Sequence, residues 1–220
     1  SGMATMAIAV WSKSGPIIME TLSKFKDYEF VITGHSLGAG VACLLNILVH
    51  HENIIPHTNN VRCFAFAPPP VFHPISAALE AVQHAFAYVH ERDIVPFLSV
   101  NGILRFFSLM NAIDMSCRHL YFWEKASIDW NFSKPTPAMM EAARNSHDVE
   151  LPATERAPIL VIPAQAVVWL RKKQFKSFNQ KVCDPHKLVH VGMLVNPDMI
   201  TDHGPAKYEA AFKYLKEEQD

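Results

Sequence analysis

The chain has 220 residues, half of them hydrophobic and 19% charged, with 20 Lys+Arg against 21 Asp+Glu and a formal net charge of -1. That much apolar material is enough for a real core and excludes a disordered chain. The near balance of charge argues against nucleic acid as a partner, and the length fits one domain with room for an insertion.

In chain order, Ile8, Val10, Trp11, Ile17, Met19 and Leu22 recur at helical spacing between about Ala7 and Lys24. The spacing predicts a helix that Gly15-Pro16 can divide in two. Tyr28 to Thr33 reads as a buried strand ending at Gly34, and Leu37 to His50, almost wholly apolar, as a helix deep against a sheet. Val61 to Ala67 is a second strand, stopped by Pro68-Pro69-Pro70. A short helix over Ile75–Gln83 leads to a third strand, His84–His90. Strand, helix, strand, helix, strand predicts an α/β fold, a mostly parallel sheet with helices on both faces.

Residues 104–158 are irregular and rich in aromatics, among them Phe106, Tyr121, Trp123 and Trp130, and read as a cap- or lid-like insertion in a single domain over 1–220. Further strands are expected at Ile159–Ile162, Val167–Arg171 and Lys187–Leu194, and an amphipathic helix at Pro205–Glu218.

Cys43, Cys63, Cys117 and Cys183 make no CxxC pair or disulfide framework, so they read as free thiols in a reducing compartment. The segment Ser1–Trp11 lacks the pattern of a signal peptide. The longest apolar runs, Leu37–Val49 and Ala157–Leu170, fall short of the roughly 20 residues that span a bilayer. A soluble or peripheral chain is expected.

The chemistry centres on Gly34-His35-Ser36-Leu37-Gly38, a G-x-S-x-G placed between an apolar strand and an apolar helix. That context is the one a nucleophile elbow requires. So tight a turn strains the serine backbone and calls for glycine two residues either side, so that strand and helix can approach. Ser36 then stands at a helix N-terminus, which favours developing negative charge, with the Leu37 N–H as an oxyanion donor.

A serine needs a base, and the base an orienting acid, in the chain order Ser, acid, His. Asp93 lies just past the third strand, with Glu91 as its rival. Of the late histidines, His203 directly precedes the last helix, His186 sits in a turn after Asp184-Pro185, and His190 lies inside an expected strand. His203 is the favoured base, with His186 the alternative. His35 reads as a side chain tucked beside its strand. His50, His51 and His57 cluster near a helix end without the ligand spacing of a known site, and no metal is expected.

The run Val31 to Gly40 closely resembles the elbow of the class 3 lipases, the fungal-lipase-like α/β-hydrolases. Phe64-Ala65-Phe66-Ala67-Pro68-Pro69 is similar to that family's next strand, Asp93-Ile94-Val95-Pro96 to its acid motif, and Asp202 to Tyr208 to its base motif. The double proline and the long insertion between acid and base resemble the diacylglycerol-lipase-like branch. The resemblance implies an α/β-hydrolase that cleaves acylglycerols through Ser36, Asp93 and His203 by way of an acyl-enzyme, without cofactor or metal. It places the family's first strands and second oxyanion donor upstream of Ser1, in a segment missing here that belongs to the same protein or to another chain, unless the domain is truncated. It further implies contact with a membrane or lipid-droplet surface. The expected setting is cytoplasmic or peripheral on the cytosolic face of a membrane, with a membrane anchor upstream compatible with it. A soluble esterase or phospholipase A1, and a catalytically weak lipase-like interaction protein, are the alternatives.

Overall fold

In the computed structural model, residues 2–52, 54–55, 61–99, 160–174, 177–183 and 198–217 are described, with single positions at 115, 137 and 141. The expected insertion at 104–158, the strand at Lys187–Leu194, and His57, Cys117, His186 and His190 lie outside them.

The apolar, alternating segments become a sheet. Strands β1 (Phe30–His35), β2 (Val61–Phe66), β3 (Ala85–His90) and β4 (Ala166–Gln174) run parallel, and β5 (Ser177–Cys183) pairs antiparallel with β4, in the order β1-β2-β3-β4-β5. Parallel neighbours need a crossover. Helix α2 (Leu37–His51) provides it between β1 and β2, and the short α3 (Leu79–Gln83) between β2 and β3. Helix α1 (Gly2–Lys24) precedes the sheet, while α4 (Asp198–Thr201) and α5 (Pro205–Glu217) follow it.

Because side chains alternate across a strand, the two faces carry separate cores. Cys63, Ala65, Ala85, Ala87, Val89 and Val167 pack with α2 and with Ala7 of α1. On the opposite face Leu170 and Phe178, flanked by Phe66, Tyr88 and Val168, pack on Tyr208, Ala211 and Leu215 of α5. Small residues dominate the first face, under α2, and aromatics the second, under α5. Each fully buried Val or Leu contributes about 1.5–3 kcal/mol. The architecture is the expected α/β arrangement with helices on both faces.

Four details differ from the sequence reading. Helix α1 is continuous from Gly2 to Lys24, with Pro16 inside it, rather than starting at Ala7 or breaking at Gly15-Pro16. The first strand begins at Phe30 and runs through Gly34 to His35, so the turn is confined to Ser36. The strand expected at Ile159–Ile162 is reduced, among the described residues, to one antiparallel bridge between Val161 and Phe72, because Pro163 has no amide N–H to extend a ladder. Strand β5 was not foreseen. Of its residues Phe178 is buried while Asn179, Gln180, Lys181 and Val182 are exposed, so an edge strand reads as polar loop.

Candidate active site

The carboxyl ends of β1 and β3 bring the site together. After β1 the chain holds its register for one more residue, the Ser36 N–H donating to Phe66 O at 2.9 Å, and then turns. Ser36 adopts φ 59°, ψ -127°, a region that costs a residue with a side chain about 1–3 kcal/mol. Its carbonyl accepts the N–H groups of Ala39 (2.9 Å) and Gly40 (3.2 Å), which starts α2 immediately. Leu37 opens the helix, and its N–H is among the amides that an α-helix leaves without an intrahelical acceptor.

The two elbow glycines play different parts. A Cβ on Gly34 would lie 2.3 Å from the carbonyl oxygen of Gly38, a backbone overlap that nothing can relieve locally. A Cβ on Gly38 would meet nothing within 4 Å, which corrects the expectation that both positions must be bare. The close approach is of Gly34 to the backbone of Gly38. Gly34→Ala is therefore expected to destabilise on the order of 4 kcal/mol or to prevent folding, whereas Gly38→Ala should hold or slightly raise the urea midpoint.

Asp93 follows β3 by three residues and is completely buried. Its Oδ1 accepts the Val95 N–H at 2.9 Å and its Oδ2 the Tyr208 hydroxyl at 2.6 Å. His203 Nδ1–H donates to the same carboxylate, 3.0 Å from Oδ1 and 3.1 Å from Oδ2. Ser36 Oγ–H donates to His203 Nε2 at 2.8 Å. The structure thus brings Ser36, His203 and Asp93, far apart in sequence, into one hydrogen-bonded row. Glu91, the rival acid, turns elsewhere: its carboxylate takes the Lys172 N–H and its carbonyl the indole N–H of Trp169.

His203 stands in the turn between α4 and α5, on a loop tied to the acid loop. The Ile94 N–H donates to Met199 O at 3.4 Å, the Arg92 N–H to Asp202 Oδ2 at 3.3 Å, and the Arg92 guanidinium to Asp198 at 3.4 Å. His35 adds a tie that the sequence reading missed. Its ring lies 4.7 Å from the ring of His203, and its Nε2–H donates to the His203 carbonyl at 2.9 Å. The residue before Ser36 thus anchors the backbone of His203.

Tyr208 was also missed as a site residue. Besides donating to Asp93, its hydroxyl accepts the His90 N–H at 3.0 Å. Burial, then the adjacent Asp93 charge, push its proton affinity well up, so it stays a donor. A buried tyrosine generally has a hydroxyl partner, and that rule was the available signal, though the partner lies on another element. Tyr208→Phe is expected to lower unfolding free energy by roughly 1.5–3 kcal/mol, the range for a hydrogen bond to a charged group, as read by urea denaturation.

Beside this row, burial lowers the proton affinity of His90, and Asp202, its Oδ1 3.7 Å from Nδ1, only partly opposes that. His90 Nδ1 has no hydrogen-bond partner among the described residues. The folded protein holds this ring neutral at a pH where the unfolded chain, with an ordinary value near ~6.5, takes a proton. The unfolded state then binds more protons, so stability falls as pH drops below about 6.5. His90→Phe should flatten that slope in unfolding midpoints compared at pH 7.5 and 5.5.

An elbow serine over a mostly parallel sheet, its hydroxyl on a histidine and the histidine on a buried carboxylate, defines the α/β-hydrolase class. Residues 1–102 match the sequence model of the lipase (class 3) family. Human diacylglycerol lipase-alpha is 31% identical over 78 residues, 36% of this chain and 7% of the human protein. The lipase of Rhizopus oryzae is 32% identical over 83 residues, 37% of this chain and 21% of the fungal one. The triacylglyceride lipase of Rhizomucor miehei superposes with a TM-score of 0.52 over 92% of this chain and 56% of its own, at 16% identity, and shares the fold. The chain spans a small part of the human relative and about a fifth of the Rhizopus one.

Proposed function

We propose that the protein is a serine carboxylic-ester hydrolase acting on acylglycerols. The observation that carries this is the row from Ser36 Oγ through His203 to buried Asp93, with steps of 2.8 and 3.0 Å. His203 takes the serine proton as Ser36 Oγ attacks the ester carbonyl, and Asp93 stabilises the imidazolium. The oxyanion forms beside the Leu37 N–H at the positive end of α2. Collapse expels the alcohol with the proton from His203 and leaves an acyl-serine, which water attacks by the same steps in reverse.

The acylglycerol class is supported by the names of the relatives, a diacylglycerol lipase and fungal lipases, and by the half-exposed Leu37 side chain beside the nucleophile. Such a substrate resides in a lipid phase, so the enzyme meets it at a membrane or droplet surface. Cys43 and Cys63, free and in contact in the core, suit the reducing cytosolic side.

A fluorophosphonate probe followed by peptide mass spectrometry tests the reading. Labelling at Ser36, lost in Ser36→Ala, together with release of fatty acid from dioleoylglycerol, is the expected result. Absence of a Ser36 adduct on folded protein overturns it.

A further inference from the structure

The sheet has a second feature at the end that carries Ser36. Strands β1 to β4 are parallel, so their carboxyl ends emerge together. Strand β4 overshoots: Leu170 pairs with His90, the last residue of β3, and Arg171, Lys172 and Lys173 continue beyond it. All three are exposed, as is Lys181 on β5, the outermost strand among the described residues.

The register groups the charges. Lys181 pairs with Trp169 and Asn179 with Arg171, so Arg171 and Lys181 share a face, the one opposite α5. The Arg171 guanidinium is held over the Trp169 ring at 5.3 Å, and Lys173 lies in the irregular stretch between Lys172 and Gln174. Among the described residues Arg171, Lys173 and Lys181 form no ion pair. The sequence contains no Asp or Glu between Glu155 and Asp184, while the whole chain has a net charge of -1. Such segregation is not needed for solubility, which mixed charges provide.

We propose that Arg171, Lys173 and Lys181 form a docking surface for anionic phospholipid headgroups, which turns the Ser36 end of the sheet toward the bilayer. This rests on the acylglycerol reading above, since a hydrolase of membrane lipid must present that end to its substrate. Basic side chains near an anionic leaflet each strengthen attachment by about 5-fold, within a Debye length of the surface. Arg171 and Lys173 on β4 and Lys181 on β5 lie on the side of the sheet away from β1, so they anchor the protein without occupying the site.

The test uses the triple variant Arg171→Gln/Lys173→Gln/Lys181→Gln, made in the Ser36→Ala protein so that vesicles stay intact. Cosedimentation compares vesicles of phosphatidylcholine alone with vesicles containing 30% phosphatidylserine. The parent should bind the anionic vesicles preferentially, and the triple variant should lose roughly 100-fold in affinity for them. With Ser36 restored, the triple variant should hydrolyse a soluble short-chain ester at the parent rate, which shows that it folds. Equal affinity of parent and variant for anionic vesicles, or equal binding to both vesicle types by the parent, overturns the proposal. Binding to RNA that vanishes in the variant, with no vesicle preference, would assign the surface to a different partner and also overturn it. Because binding is read without turnover, failure of the hydrolase reading shows separately, as a missing Ser36 adduct.

Discussion

Replacing Ser36 by alanine is expected to abolish ester hydrolysis, with kcat falling on the order of 10⁶-fold while the circular dichroism of the folded chain stays unchanged. The hydroxyl is the only atom group lost, and it makes the 2.8 Å contact with His203 Nε2. The same position offers a second readout. At φ 59° an alanine keeps the strain that the serine bears, whereas glycine occupies that region freely. Ser36→Gly should be as inactive as Ser36→Ala yet unfold at a higher urea concentration, by about 1 kcal/mol net. Retained turnover in either variant would remove Ser36 from the chemistry. A glycine variant less stable than the alanine one would remove the strain argument.

Asp93→Asn should cost about 10⁴ in kcat with little loss of fold. The physical reason is the direction of three hydrogen bonds. Asp93 accepts from Val95 N–H, from the Tyr208 hydroxyl and from His203 Nδ1–H. An amide has only one oxygen to accept with, so its NH₂ must face one of these donors. The hydroxyl can reverse and accept; the backbone N–H cannot. The NH₂ therefore sits on the Tyr208 side, 3.1 Å from His203 Nδ1 in the present geometry. There it favours the ring with its proton on Nε2, which can no longer accept from Ser36. Rates measured under single-turnover conditions, with KM nearly constant, would display the effect. A loss below about 10-fold would mean that the acid only packs.

How much of this could be read from sequence follows from distance along the chain. The elbow is local: strand, Gly34, Ser36, Gly38 and helix all fall within about one turn of each other, so residue type and order suffice. Asp93 was accessible because it sits just past a strand, and His203 because it precedes a helix. What escaped was whatever depends on two distant elements meeting. The hydroxyl of Tyr208 reaches Asp93 across 115 positions, and His35 meets the carbonyl of His203 across 168. No spacing rule encodes either. Strand β5 escaped for another reason: of its residues only Phe178 is buried, and Asn179, Gln180 and Lys181 carry no hydrophobic alternation. The different tolerances expected of Gly34 and Gly38 are likewise a matter of three-dimensional direction, since the motif treats them alike.

Each of the first three strands leaves the sheet through a residue of positive φ that is not glycine: Ser36 at 59°, Ala67 at 53° and Glu91 at 41°. All three still donate an N–H to the neighbouring strand before they bend away. The rim around Ser36 is thus wound like a set of springs held in place by the ladder beneath. A protein built this way trades ruggedness for a rim whose loops are aimed, and Ala67, which donates no side chain to the reacting row, is where an engineer could slacken one spring and leave the chemistry as it stands.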